Sequence, residues 1–184
     1  MTDDHKGWHS RGYLPHFDSP ESIQHIVFRT LGSLSKAVVD ALPASVDRRR
    51  EIDAALDRCD GPRPLADPQA AKTVQNAILH FDGDRYRLLA WCVMPNHVHV
   101  VVEAFAGFPL GGLVRSWKAF SAAQINRALA RRGAFWAPDY FDRYVRDETD
   151  LATTIDYVEN NPVVAGLVST PADWPWSSAS VMRA

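Results

Sequence analysis

The chain has 184 residues, 46% of them hydrophobic and 23% charged, which is the composition of an ordinary globular protein long enough to bury one self-sufficient core. Two cysteines, Cys59 and Cys92, are too few for a disulfide framework or a cysteine metal cluster, and no apolar run approaches the roughly 20 residues of a membrane span. Met1–Phe17 is polar and lacks a hydrophobic signal region, so the expectation is a cytoplasmic protein with no membrane contact. The formal net charge of −2 weighs against strong nonspecific affinity for nucleic acid. The charge is unevenly spread, however. Between Gly111 and Arg146, seven basic residues stand against two acids, leaving +5 in one stretch.

Taken in chain order, Met1–Pro20 carries Gly7, Gly12, Pro15 and Pro20 and reads as an irregular arm. Ser22–Leu31 alternates as a first strand, with Ile26 and Phe28 toward the core. Leu34–Arg58 reads as helical, with an interruption near Pro43, and Glu51, Asp53 and Asp57 read as no more than a charged helix surface. Cys59–Pro68 is a proline-rich loop. Asp67 is a good helix start, and Ala70–Phe81 has apolar residues at helical spacing until Asp82-Gly83 breaks it. Tyr86–Val93 is nearly all apolar, as a strand buried on both faces would be. Met94-Pro95-Asn96 turns the chain into a second strand, His97–Glu103.

Gly111–Arg131 is the longest helical candidate, with an apolar stripe of Leu113, Trp117, Phe120, Ile125 and Leu129 and a stop at Gly133. Tyr140–Val145 reads as a short edge strand. Asp147 or Thr149 caps a last helix expected to stop at Asn161, before Pro162. Trp174–Ser178 (WPWSS) is too apolar to dangle in water. Strands interleaved with helices in this order suggest one α+β domain: a ferredoxin-like sandwich, an antiparallel sheet with helices on one face. Within residues 1–184 the arm is 1–20, a helical insertion spans 34–81 and a tail spans 170–184.

His97 and His99 lie at i and i+2 of a strand, so both imidazoles share one face while Val98, Val100 and Val102 anchor the other. That spacing suits two ligands converging on one metal ion, though histidines on a half-exposed strand also occur for structural reasons. Tyr157 and Asn161 are stacked one turn apart on the last helix, on the flank of the stripe Leu151, Ile155, Val158. Read singly, the tyrosine could merely rim the core and the asparagine could be a helix exit.

The stretch Trp91–Val102 (WCVMPNHVHVVV) resembles the His-hydrophobic-His signature of single-tyrosine HUH transposases, and Asp156–Val168 (DYVENNPVVAGLV) resembles the tyrosine helix of their REP-associated branch. Gly12–Phe17 (GYLPHF), Phe135–Arg143 (FWAPDYFDR) and the closing WPWSS are similar to that branch as well. The resemblance implies that His97 and His99 are metal ligands, that Asn161 completes the site and that Tyr157 is the nucleophile. It further implies a divalent metal, Mg or Mn, and single-stranded or hairpin DNA as partner. The resulting expectation is a metal-dependent DNA endonuclease/transposase that cleaves and rejoins REP-like hairpins through a 5′-phosphotyrosine, acting as a monomer rather than a dimer. The rivals are a non-catalytic DNA-hairpin binder of the same fold and a small-molecule metal phosphoesterase. Arg115, Lys118, Trp136, Arg143 and Arg146 are the candidates for DNA contact, and His25 on the first strand has no functional account. Glu103 shares the histidine face by parity, either as support for the site or as a solvated strand end.

Overall fold

Residues 7–10, 15–34, 48–58 and 61–181 are described by a computed structural model. In chain order the elements are β1 (Gly7–Ser10), β2 (Pro15–Asp18), β3 (Ile23–Thr30), α1 (Arg48–Asp57), α2 (Pro68–Leu79), β4 (Tyr86–Val93) and β5 (His97–Ala104). There follow α3 (Leu110–Ala128), β6 (Trp136–Tyr144), α4 (Glu148–Val164) and the short α5 (Ser178–Val181). Four strands form one antiparallel sheet in the order β4-β5-β3-β6, and β1 pairs with β2 in a separate ribbon. With α1 and α2 between β3 and β4, and α3 between β5 and β6, this is the ferredoxin-like arrangement expected from the order of elements.

The sheet separates its side chains by parity. On one face Ile26, Phe28, Val98, Val100, Val102 and Tyr140 join α2 and α3 in the larger core, around a fully buried Trp117 whose indole N–H donates to the Tyr86 hydroxyl at 3.0 Å. Burying each valine contributes about 1.5–3 kcal/mol, so this face alone holds β5 in register. On the opposite face lie Val27, packed on Ile52 and Leu56 of α1, and Val101, Ala90 and Cys92, packed on Val158 of α4. Helices thus cover both faces of the sheet, not the one face expected, and the helix that carries Tyr157 lies on the histidine side. β4, like β5, serves both cores by alternation, and the shift in its pairing between Leu88 and Ala90 reverses which parity faces the larger core: Tyr86 and Leu88 before it, Trp91 and Val93 after it.

The helix starts follow local chemistry. The Asp67 carboxylate accepts from Ala70 N at 2.9 Å and Asp147 accepts from Asp150 N at 2.8 Å, the two caps expected at those positions. The end of α4 differs from expectation. Pro162 lies inside the helix, which runs to Val164. Proline removes only its own N–H, and in the last turn the chain recovers: Ala165 N donates to Asn161 O and Leu167 N donates to Pro162 O, both at 2.9 Å. Asn161 therefore stays helical and stays stacked on Tyr157.

Two further readings change, and a third falls partly outside the described residues. The arm is not irregular where it is described, because β1 and β2 pair from Gly7↔Asp18 to Ser10↔Pro15. The edge strand is longer, β6 beginning at Trp136. The helix expected over Leu34–Arg58 is described only from Arg48 onward, and the stretch around Pro43 lies outside the described residues. The tail packs as its tryptophans require: Val93 N donates to Trp176 O at 2.8 Å and the Trp174 indole donates to Val93 O at 3.0 Å, so the tail covers the free edge of β4.

Candidate metal centre and tyrosine

The register of the sheet assembles the site. Val27 of β3 and Cys92 of β4 flank His99 of β5, and Arg29 is paired with His97. The odd-numbered face of β5 then presents His97 and His99 in the seam between α1 and α4. Both imidazoles are fully buried. Their Nε2 atoms face each other at 2.8 Å, and the Asp57 carboxylate, from the last turn of α1, stands 3.3 Å from His97 Nε2. The three donor atoms lie within 4.8 Å of one another. Metal–ligand bonds of about 2.1 Å give donor–donor edges near 3 Å, so this is a set that one cation could hold. Burial, followed by the neighbouring His97 and His25, keeps the His99 pKa well below the ordinary imidazole range, so its ring is neutral and able to ligate at neutral pH.

Tyr157 meets this cluster from α4, the helix that also carries Asn161. The Tyr157 ring stands 5.7 Å from that of His99 and 6.0 Å from that of His25, edge-on to both, and is 39% exposed. The phenol therefore borders the histidines and reaches solvent. One turn on, Asn161 is 1% exposed, and neither atom of its amide has a hydrogen-bond partner among the described residues. A fully buried amide without partners is costly, about 1–3 kcal/mol for each atom, and calls for a ligand. Asp57 Oδ1 likewise has no hydrogen-bond partner among the described residues, although it faces His97. The donor set of two imidazoles and one carboxylate fits a divalent metal.

Sequence reasoning missed three residues here. Asp57 is no mere surface acid, since its position beside His97 places it in the site. Its only local signal is a carboxylate in the last turn of a helix that has no basic residue there, where the helix dipole disfavours negative charge. His25 stacks on His99 at 5.3 Å between ring centres, with Nε2 3.1 Å from His99 Nδ1. Asn96 Oδ1 accepts from His97 Nδ1 at 2.7 Å, while its amide nitrogen donates to Leu56 O at 3.3 Å and so ties the site to α1. Asn96 and His97 are neighbours in the chain, but the His25–His99 and Asn96–Leu56 contacts depend on how distant segments meet, which no local pattern reveals.

The DNA-contact candidates divide. Trp136 is buried and its indole donates to Ser121 Oγ at 3.1 Å, which corrects its reading as a DNA contact: the larger core claims it. Lys118 is corrected too, because its ammonium donates to the carbonyls of Ala137, Pro138 and Asp139 at 2.7, 3.2 and 3.4 Å and holds the start of β6. Arg143 donates to both oxygens of Asp150 at 2.6 and 2.9 Å and to Thr154 Oγ1 at 2.6 Å, bracing β6 against α4. Arg115 and Arg146 have exposed side chains. Glu103 accepts from Arg87 at 2.7 Å across the strands, the solvated strand-end reading.

A family model described as Transposase IS200 like matches residues 67–161, just over half of the 184. The chain belongs to the IS200-like transposase family. Within this transposase family it is similar to a Haemophilus influenzae protein described as a REP-associated tyrosine transposase, with 27% identity over 103 residues, 50% of this chain and 58% of that protein. The chain thus spans less than two thirds of that relative. Among solved structures, it shares its fold with a REP-associated tyrosine transposase bound to a REP hairpin. That match has a TM-score of 0.64 and 19% identity, and covers 92% of this chain and 84% of the other. No helix among the described residues is long and apolar enough to cross a membrane.

Proposed function

We propose that this transposase-family chain is a metal-dependent endonuclease that cuts and rejoins single-stranded DNA beside REP-like hairpins, with Tyr157 as nucleophile. The observation that carries the reading is the half-exposed Tyr157 ring, 5.7 Å from a buried imidazole pair whose Nε2 atoms converge. His97, His99 and Asn161 would hold the metal, joined by Asp57, and mixed imidazole and oxygen donors favour Mn over Mg where both are available. Once bound, a divalent cation would supply Lewis-acid stabilisation to a non-bridging phosphate oxygen.

The chain's own residues do the rest. A phenol has a reference pKa of about 10 and is a poor nucleophile at neutral pH until it loses its proton. Tyr157 Oη forms a bond to phosphorus while the bond from phosphorus to the 3′ oxygen breaks. The phenol proton is lost and the departing 3′ oxygen gains one. The product is a 5′-phosphotyrosine and a free 3′-hydroxyl. One phosphodiester replaces another, so a second 3′-hydroxyl can reverse the exchange and join a new end. α4 stands in register with the histidines of the same chain, which supports action as a monomer. Arg115 and Arg146, exposed on the basic stretch, are the remaining candidates for phosphate contact.

The test is a denaturing gel of the protein with labelled single-stranded hairpin oligonucleotides and Mn, run beside Tyr157→Phe. A metal-dependent, SDS-resistant protein–DNA band that disappears in the variant, while DNA binding persists, is expected. Cleavage by Tyr157→Phe would refute the assignment of the nucleophile. Binding without any adduct in the parent protein would leave a hairpin-binding protein instead.

A further inference from the structure

His25 lies on β3, the central neighbour of β5, and points to the same face as the two histidines across from it. Its side chain is buried, and its ring lies nearly parallel to that of His99, at 19°. The contact is to His99 Nδ1, at 3.1 Å, whereas His99 Nε2 faces His97. His25 therefore meets the outer nitrogen of a candidate ligand, not the cluster of donor atoms.

The outer nitrogen decides what the inner one can do. A neutral imidazole carries one proton, and the nitrogen that binds a metal must be the bare one. His97 satisfies this through Asn96, whose carbonyl oxygen can only accept, so that Nδ1 holds the proton and Nε2 is bare. His99 has His25 in the corresponding position, and it needs His25 Nε2 as the acceptor. We propose that His25 is a positioning residue: it takes a hydrogen bond from His99 Nδ1, carries its own proton on Nδ1, and so holds His99 Nε2 bare and aimed at the metal. This rests on the metal reading of the preceding section. The same ring borders Tyr157 at 6.0 Å, so one side chain sets the relation of the ligand to the phenol.

The test is metal binding without DNA. Mn2+ is titrated by calorimetry into the full chain and into His25→Ala and His25→Gln. The parent chain is expected to bind, His25→Ala to bind about 10–100-fold more weakly, and His25→Gln, whose side-chain oxygen can accept from His99, to recover most of the loss. Equal affinity in His25→Ala, or no recovery in His25→Gln when both melt cooperatively, would overturn the proposal. A parent chain that binds no Mn2+ would instead sink the metal reading itself. Should the variants fail to fold, long-range 15N–1H spectra of the Zn2+-loaded parent chain read the tautomer directly. A proton on His25 Nδ1 is expected, and one on Nε2 overturns the role.

Discussion

Raising the pH should detach the β1–β2 ribbon. His16 of β2 is fully buried between two carboxylates of β6: Nδ1 donates to Asp142 Oδ1, and Nε2 lies 3.3 Å from Asp139. Phe17 N adds a bond to Asp142 Oδ2 at 2.9 Å. Burial by itself would push the His16 pKa down, but the hydrogen bonds and charges of Asp139 and Asp142 outweigh it and raise the pKa from 6.5 to about 9. A raised folded-state pKa means stability that is fully present below 6.5 and is lost as pH climbs through about 9. At about 1.4 kcal/mol per pH unit the whole effect is about 3 kcal/mol, of which about 2 falls between pH 6 and 8.

That interval is the one to measure. Lys118, whose pKa burial lowers from 10.5 to about 8, releases its proton earlier when folded and so works in the opposite sense above pH 8. Asp139 acts at the other end: burial would raise its pKa, but His16 outweighs that and lowers it, so its contribution is lost on acidification below about pH 4. Urea unfolding at pH 6, 7 and 8, at fixed salt, should show the decline, with hydrogen exchange on β1 and β2 revealing whether the ribbon leaves first. His16→Asn should be less stable at pH 6 and should flatten the slope. Constant stability from pH 6 to 8 in the parent chain, or an unchanged slope in the variant, would refute the reasoning.

Asp57→Asn should weaken Mn2+ binding about tenfold or more with little change in melting temperature, as read by calorimetry and thermal unfolding; unchanged affinity would remove Asp57 from the site. Lys118→Met should cost about 1–3 kcal/mol in chemical denaturation, because three carbonyls lose their donor, yet should leave hairpin affinity per folded molecule unaltered. Ser178→Ala removes the hydroxyl that donates to Glu159 at 2.7 Å and accepts from Trp91 N at 3.2 Å. It should lower stability by about 1–2 kcal/mol and raise proteolysis of the tail first.

Much of the molecule is legible in the amino-acid sequence. β4 and β5 lie within a residue of their expected ends, because an apolar run and an alternating run are strong local signals. Parity alone puts His97 and His99 on one face and Val98, Val100 and Val102 on the other, as the buried clusters show. Helical spacing stacks Tyr157 on Asn161. Each of these facts is local, set by the period of one strand or one helix and by the need to bury apolar side chains.

Pairing between distant segments decides the remainder. Asp57 reaches His97 across 40 positions because α1 docks on the sheet face beside α4. His25 reaches His99 because β3 inserts between β5 and β6, an arrangement that the alternation within β3 does not specify. Lys118 and Trp136 look like nucleic-acid contacts by residue type, and the tertiary structure turns both inward: the ammonium onto backbone carbonyls, the indole onto Ser121. A side chain's type and period come from the chain itself. Its partners follow from which strand lies next to which, and that is settled by the packing of the whole sheet rather than by any one segment.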